Sequence, residues 1–386
     1  MIMIPRLMSA RLLEALEKYP VVTVLGPRQA GKTTLVTETL PDFSYANLEN
    51  PEIREFALSD PKGFLAAYPT PVILDKIQRV PELLSWIQVI SDESGLNGRY
   101  VLTGSNQPEL SQSVSQSLAG RTALLTLLPL SWEELGNAGF KFDRDDAIVS
   151  GFLPRVWQNT LPPMRAYLDY FATYVERDVR QLLRVKDLSK FETFIKLLAG
   201  RIGQVANLHA LGGDVGVSST TLAKWISVLE ASFVIFRLPS YHRNLGKRLI
   251  KSPKFFFYEP GLAAALLQIE TPEQAGRDPL MGNLFENVVV VELLKGQLNR
   301  GLNGTWSYFR DNSGNEVDLI WERQRIPQPI EIKAGRTWTP EWTKRLEWFS
   351  ALAGEARPSW VVHPGDVRRS GATDPAHCAR DILDDL

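Results

Sequence analysis

Short β-branched apolar runs alternate with amphipathic stretches along the first third of the chain. Val21-Val22-Thr23-Val24-Leu25 is apolar without alternation, the pattern of a parallel strand buried on both faces. Residues 11–19 before it read as an amphipathic helix, and residues 32–40 after it as a helix stopped by Pro41. Further strands are expected at 43–48, 71–75, 99–106 and 123–128, with acidic helical sequence at 49–58. Strands and helices taking turns in this way predict an α/β fold with a doubly wound parallel sheet.

The middle of the chain changes to a helical period. Residues 167–183 predict a long amphipathic helix carrying Arg177, Asp178, Arg180 and Arg184 on or near its polar side. Helices are expected at 190–201 and 205–211, then a turn at Gly212-Gly213-Asp214, then a third helix capped by Ser218-Ser219-Thr220-Thr221 and running to Leu229. Two strands, 234–238 and 255–258, complete the order of a winged helix-turn-helix. The last part predicts an apolar helix over 282–294, strands at 306–310, 316–320 and 329–333, and a tryptophan-rich packing helix over 338–352. A late strand follows at 359–363, with a weakly ordered tail from Arg368. The boundaries implied are 1–150, 151–260 and 261–386.

Candidate chemistry is concentrated first at Gly26-Pro27-Arg28-Gln29-Ala30-Gly31-Lys32-Thr33-Thr34, which fits the P-loop spacing between a strand and a helix. Glycines let successive backbone N–H groups curl around phosphates at the positive end of the next helix. Lys32 is expected to reach the β- and γ-phosphates of ATP and Thr33 to bind Mg²⁺. Val72-Ile73-Leu74-Asp75 ends in an acid as a Walker B strand does, making Asp75 the second Mg²⁺ residue. Lys76 follows, where such ATPases carry the glutamate that deprotonates water; a protonated ammonium cannot act as that base. Hydrolysis is then slow, or another carboxylate such as Glu82 or Glu93 serves. Ser105, closing a strand, either senses the γ-phosphate or is a plain polar strand end. Arg121 is either a charge-stabilising arginine for its own or a neighbour's nucleotide, or a surface residue.

The P-loop, Leu74-Asp75-Lys76-Ile77-Gln78-Arg79-Val80-Pro81, Leu102-Thr103-Gly104-Ser105 and Leu118-Ala119-Gly120-Arg121 together resemble the prokaryotic AAA-type ATPases whose C-terminal half is a domain of unknown function. Gly151-Phe152-Leu153-Pro154 matches a short signature of the same family. The resemblance covers nearly the whole chain and implies an AAA fold, and with it a homo-oligomeric ring. It departs from the family at Lys76, where glutamate is expected.

In Glu331-Ile332-Lys333 the acid and the ammonium lie two apart, so a strand points both to one face. With Asp318 on the preceding strand and Glu286 on the helix, the set resembles the PD-(D/E)xK nuclease superfamily. That resemblance implies Mg²⁺ at Asp318 and Glu331, support from Glu286, and a water positioned by Lys333. Many members of the superfamily keep the fold only to bind.

Composition narrows the field. The chain has 386 residues, 44% hydrophobic and 23% charged, as in a globular protein of two or three domains. One cysteine, Cys378, excludes an intramolecular disulfide and argues against structural zinc, and four histidines leave little for a histidine metal centre. No apolar run approaches the ~18 residues that would span a bilayer, and Arg6 interrupts the N-terminal apolar stretch, so a cytoplasmic protein is expected. Net charge is −1, yet between Thr221 and Tyr258 stand Lys224, Arg237, Arg243, Lys247, Arg248, Lys251 and Lys254 against Glu230 alone. That enrichment suits a wing on duplex or branched DNA, or a solvated loop on a protein-docking module.

Overall fold

The computed structural model describes residues 3–105, 114, 116–175, 188–241, 250–365 and 376–378. It divides into two compact units: Met1–Leu130 with Ala231–Phe233 and Leu298–Gly301, and Ser131–Glu230, Val234–Gln297 and Leu302–Leu386. The main break falls at Leu130, whereas the sequence suggests 1–150, 151–260 and 261–386.

In the first unit α1 (Met8–Lys18), β1 (Val21–Leu25), α2 (Lys32–Thr39), β2 (Ser44–Asn47), α3 (Pro51–Ser59) and α4 (Pro61–Ala67) precede β3 (Val72–Asp75). Then come α5 (Leu83–Ser94), β4 (Tyr100–Thr103) and β5 (Thr122–Thr126). The sheet runs β2-β3-β4-β1-β5 with every pair parallel. Period-two alternation sends Val22, Val24, Ile73 and Val101 to one face, under Leu35 and Val36 of α2. Val21, Leu25, Leu74 and Leu102 go to the other, with Ile87 of α5. Both faces of the inner strands β3, β4 and β1 are covered, which is why these carry no polar alternation, while the edge strands β2 and β5 stay partly exposed.

Because all strands are parallel, their C-terminal ends share one edge of the sheet. The P-loop follows β1 there, Asp75 ends β3 there, and Ser105 lies two residues beyond β4.

The second unit opens with α6 (Trp132–Asn137), whose capping box joins Ser131 and Glu134 as the sequence suggests. α7 (Arg144–Ser150), α8 (Pro154–Asn159) and α9 (Pro163–Tyr170) follow. The long helix expected over 167–183 instead begins at Pro163 and widens into a π-helical turn over Phe171–Val175. Arg177, Asp178, Arg180 and Arg184 lie outside the described residues.

The signature Gly151-Phe152-Leu153-Pro154 has a structural role. Gly151 holds φ +53°, and Glu259 Oε1 accepts from the Phe152 N–H at 2.6 Å and the Tyr167 hydroxyl at 2.9 Å.

Next come α10 (Leu188–Ala199), α11 (Leu208–Val215), α12 (Ser219–Ala231) and an antiparallel pair, β6 (Ile235–Leu238) and β7 (Lys254–Phe257). The turn expected at Gly212-Gly213-Asp214 lies inside α11, and the reversal falls at Gly216, φ +73°. Asn207 caps α11 and so starts it late. A Cβ on Gly212 would stand 2.8 Å from the Val217 carbonyl oxygen, so the glycine admits the returning chain.

α13 (Pro260–Leu266), α14 (Pro272–Arg277) and α15 (Met281–Arg300) lead to β8 (Thr305–Arg310), β9 (Glu316–Arg323) and β10 (Ile326–Ile332). These three strands pair antiparallel. α16 (Lys344–Ala353) then connects to β11 (Trp360–His363), which runs parallel to β10. The helix expected from 338 starts only at Lys344, after a 3₁₀ turn at Pro340–Trp342. Trp338, Trp342 and Trp348 pack against the core cluster that holds Phe309 and Phe349. Most of the tail from Arg368 lies outside the described residues, but β12 (Ala376–Cys378) adds a fifth strand beside β11.

The β6–β7 pair is a two-stranded sheet of its own, tied to α15 and β8 by hydrogen bonds. Asn287 exchanges two hydrogen bonds with the Phe257 backbone, at 2.8 and 3.1 Å, and the Tyr241 N–H donates to the Tyr308 carbonyl at 2.7 Å.

Candidate nucleotide and acid-cluster sites

Two groups of chemistry-bearing residues stand out, one in each unit. In the first, Gly26 adopts φ +148°, and a Cβ there would lie 2.0 Å from the Leu127 carbonyl oxygen. Gly31, φ +89°, precedes α2 directly. Between them Gln29 also takes a positive φ of +61°, so the backbone curls as a phosphate cradle needs. Sequence reasoning missed Arg6, whose guanidinium donates to the Ala30 carbonyl at 2.5 Å and the Leu128 carbonyl at 2.7 Å. Nothing in its spacing marks it, since the contacts are made across the fold.

Lys32 is buried, and its ammonium donates to the carbonyls of Gly26 at 2.9 Å and Pro27 at 2.5 Å. Burial pushes it down to about 7, helped by the charges of Lys76 and Arg28 and opposed by Asp75. A bound triphosphate supplies the anion that restores the ammonium. ATP affinity is therefore expected to be insensitive to this group below pH about 7, where Lys32 is charged in both states. Above that it weakens by up to about tenfold per pH unit until the bound-state value is reached. Titrations at several pH values check this, and a flat profile up to about pH 9 would contradict it.

Asp75 Oδ2 accepts from the Thr33 hydroxyl at 3.0 Å and the Tyr45 hydroxyl at 3.1 Å, and Oδ1 accepts from Thr103. Thr33 and Asp75 thus stand together, and they fit Mg²⁺ carried by a nucleotide. Ser105 is buried on the same edge and accepts from Gln78 at 3.0 Å. Ile77 and Val80 of the family phrase are core residues, and Arg79 pairs with Glu49.

Lys76 occupies the left-handed region at φ +66°, and its N–H faces the Thr103 hydroxyl at 3.4 Å. Of the substitute carboxylates, Glu93 lies in the last turn of α5, after which the Gly98 N–H bonds to Tyr19 just before β1. That is the edge opposite the P-loop, so Glu93 is removed as a base. Glu82 is exposed at the start of α5. Glu49 is held below the usual carboxylate range by its bond to Arg79, and the charges of Lys76 and Arg28 act on it too. It is the carboxylate beside the site that the sequence did not single out.

Arg121 is also displaced. Its carbonyl accepts from Val21 at the start of β1, and its side chain forks onto Asp92, one bond measuring 2.8 Å. β1 separates it from its own P-loop by about 17 Å of strand. A role for Arg121 at its own nucleotide does not fit.

In the second unit Glu286 of α15, Glu316 and Asp318 of β9, Glu331 of β10 and Lys333 converge. The Ile332 N–H donates to Asp318 at 2.8 Å, and Lys333 bonds to Glu331. Lys254, counted above among DNA-contacting cations, is 1% exposed and lies 3.0 Å from Glu286 and 2.8 Å from Glu316. Burial alone would lower its ammonium, but Glu286, Asp318 and Glu316 outweigh that and hold it above its usual value. Burial, with Asp318 adding to it, raises Glu286 and Glu331 despite the lysines. Among the described residues no group of three or more His, Cys, Asp or Glu is spaced to hold a metal ion, so the Mg²⁺ expected at Asp318 and Glu331 meets an acid pair already engaged by lysine and backbone.

Two of the seven cations read as a wing are thus withdrawn. Lys254 is buried in the cluster, and Arg237 is forked onto Glu230 at 2.7 and 2.5 Å. Lys224 and Lys251 are exposed. Arg243, Lys247 and Arg248 lie outside the described residues, as does Asn106.

Residues 18–136 match the AAA domain family, residues 141–273 a domain of unknown function (DUF8612) and residues 281–375 a domain of unknown function (DUF4143). The chain is 31% identical over 367 residues to the uncharacterized protein Rv2008c of Mycobacterium tuberculosis, covering 93% of this chain and 80% of that protein. It is 26% identical over 240 residues to an uncharacterized protein of Haemophilus influenzae, covering 58% and 57%. Among solved structures it is similar to the Walker-type ATPase PABY2304 of Pyrococcus abyssi at 15% identity and TM-score 0.45, over 67% of this chain and 94% of that one. It is also similar to AMPPCP-bound DnaA from Aquifex aeolicus at 14% identity and TM-score 0.30, over 57% and 85%. No helix among the described residues is long and apolar enough to cross a membrane. The chain belongs to the family of Rv2008c, and its first part is an AAA-type P-loop ATPase domain.

Proposed function

We propose that this chain is an ATP- and Mg²⁺-binding AAA-type ATPase that acts on DNA through its second unit, in the cytoplasm. α10, α11, α12 and the β6–β7 pair serve as a winged helix, and α15 with β8–β11 and α16 as a PD-(D/E)xK-like domain. The observation that carries the reading is the assembly of Glu286, Asp318, Glu331 and Lys333, which are scattered over 48 positions of sequence, on one helix-and-three-strand frame. Chance E-x-K matches have no reason to gather such partners. Asp318 and Glu331 would hold Mg²⁺, with Lys333 beside them to position water, only once Lys254 leaves the acid cluster. Arg121, half-buried and paired with Asp92 away from its own P-loop, would serve a neighbour's nucleotide in a ring.

A second reading has support in Lys76: a nucleotide-gated switch or scaffold that turns over little ATP and docks a protein partner. DNA affinity against salt separates the two. On the first reading log K falls linearly with log salt, and Lys224→Glu and Lys251→Glu each lower the slope by about one. Absence of salt-dependent binding to either duplex or branched DNA would favour the switch.

A further inference from the structure

Lys254 comes from a different module than the acids it neutralises. It opens β7, whereas Glu286 comes from α15 and Glu316 from β9, and its ammonium lies within 3.0 Å of both. Beside them Glu331 is 1% exposed, and its Oε2 makes no hydrogen bond among the described residues, Lys333 taking the other oxygen. Four carboxylates thus surround two ammonium groups, with one buried carboxylate oxygen left over. A small divalent cation needs such oxygens at about 2.0–2.2 Å and tolerates no ammonium among its ligands. The volume between Glu286 and Glu316 is already filled.

We infer that Lys254 is a built-in cation that occupies the acid cluster in place of a divalent metal ion and keeps the site closed to one. The inference rests on the nuclease-like reading of this sheet, and adds that the cluster is masked in the resting chain. Moving the ammonium out frees Glu286 and lets the unpartnered Glu331 oxygen and Asp318 take a cation. Lys333 stays in place beside them.

The test is Mn²⁺ binding to the full chain without nucleotide, followed by electron paramagnetic resonance of the free ion. Lys254→Met is expected to bind one equivalent more than the parent, and Asp318→Asn in that background to lose it. Lys254→Gln, which keeps two donors without the charge, is the second variant and is expected to gain the same equivalent. Should the parent already bind an equivalent that Asp318→Asn removes, the metal reading stands and the lock fails. If folded Lys254→Met or Lys254→Gln gains nothing, the lock and the metal reading fail together. Should neither variant fold even with Mn²⁺ present, the ammonium is a structural ion-pair centre and the inference is overturned.

Discussion

Replacing Lys76 by glutamate is expected to raise ATP turnover by about 10²–10⁴-fold, the usual contribution of a positioned general base. The residue directly follows Asp75 on the edge that holds Thr33, and its charge acts on Lys32. An ammonium attracts phosphate and has no lone pair with which to accept a proton from water. A carboxylate at the same backbone position reverses both properties. Steady-state hydrolysis of ATP with Mg²⁺, with and without DNA, reads the effect. The left-handed conformation at φ +66° is no more favourable for glutamate than for lysine, so stability changes little. Rapid turnover by the parent that falls with Glu49→Gln would instead make Glu49 the base. No increase in the Lys76→Glu variant would show that the missing group is not this carboxylate.

The second large effect is on stability. Gly151→Ala is expected to destabilise the second unit by about 3–5 kcal/mol, the range of severe steric and strained-backbone changes. At φ +53° and ψ −150° the position favours glycine, and an added Cβ would stand 2.0 Å from Glu259 Oε1, 2.3 Å from the Tyr167 hydroxyl and 2.8 Å from the Gly261 nitrogen. One of these is backbone, and the other two belong to buried side chains bonded to each other. None can withdraw without giving up a buried hydrogen bond. Gly139 is the control: φ is +87° but nothing lies within 4 Å of its Cβ, so alanine costs only about 1 kcal/mol of backbone strain. Thermal denaturation of the pair checks this, and equal melting of the two variants would contradict it.

The family signature around Gly151 thus belongs to folding, and its position in sequence gave no sign of Glu259 or Tyr167. The same limit explains the fate of the basic residues. Lys254 and Lys251 are indistinguishable in a count of charge, yet one is buried between carboxylates and the other is exposed. Burial is a property of the neighbours that folding brings, not of the residue type.

What the sequence determined by itself is local. The apolar strands β1, β3 and β4, the glycines of the P-loop, the acid ending β3 and the Ser131–Glu134 cap depend on contacts within a few residues, and period and spacing encode those directly. Tertiary structure alone decided the partners across the fold: Arg6 on the P-loop, Arg121 at the opposite edge, Glu49 near Lys76, and Lys254 inside the acid cluster. Each of these is a long side chain whose role is fixed by partners dozens of residues away. Coulomb attraction and desolvation depend on distance in space, which the order of residues does not record.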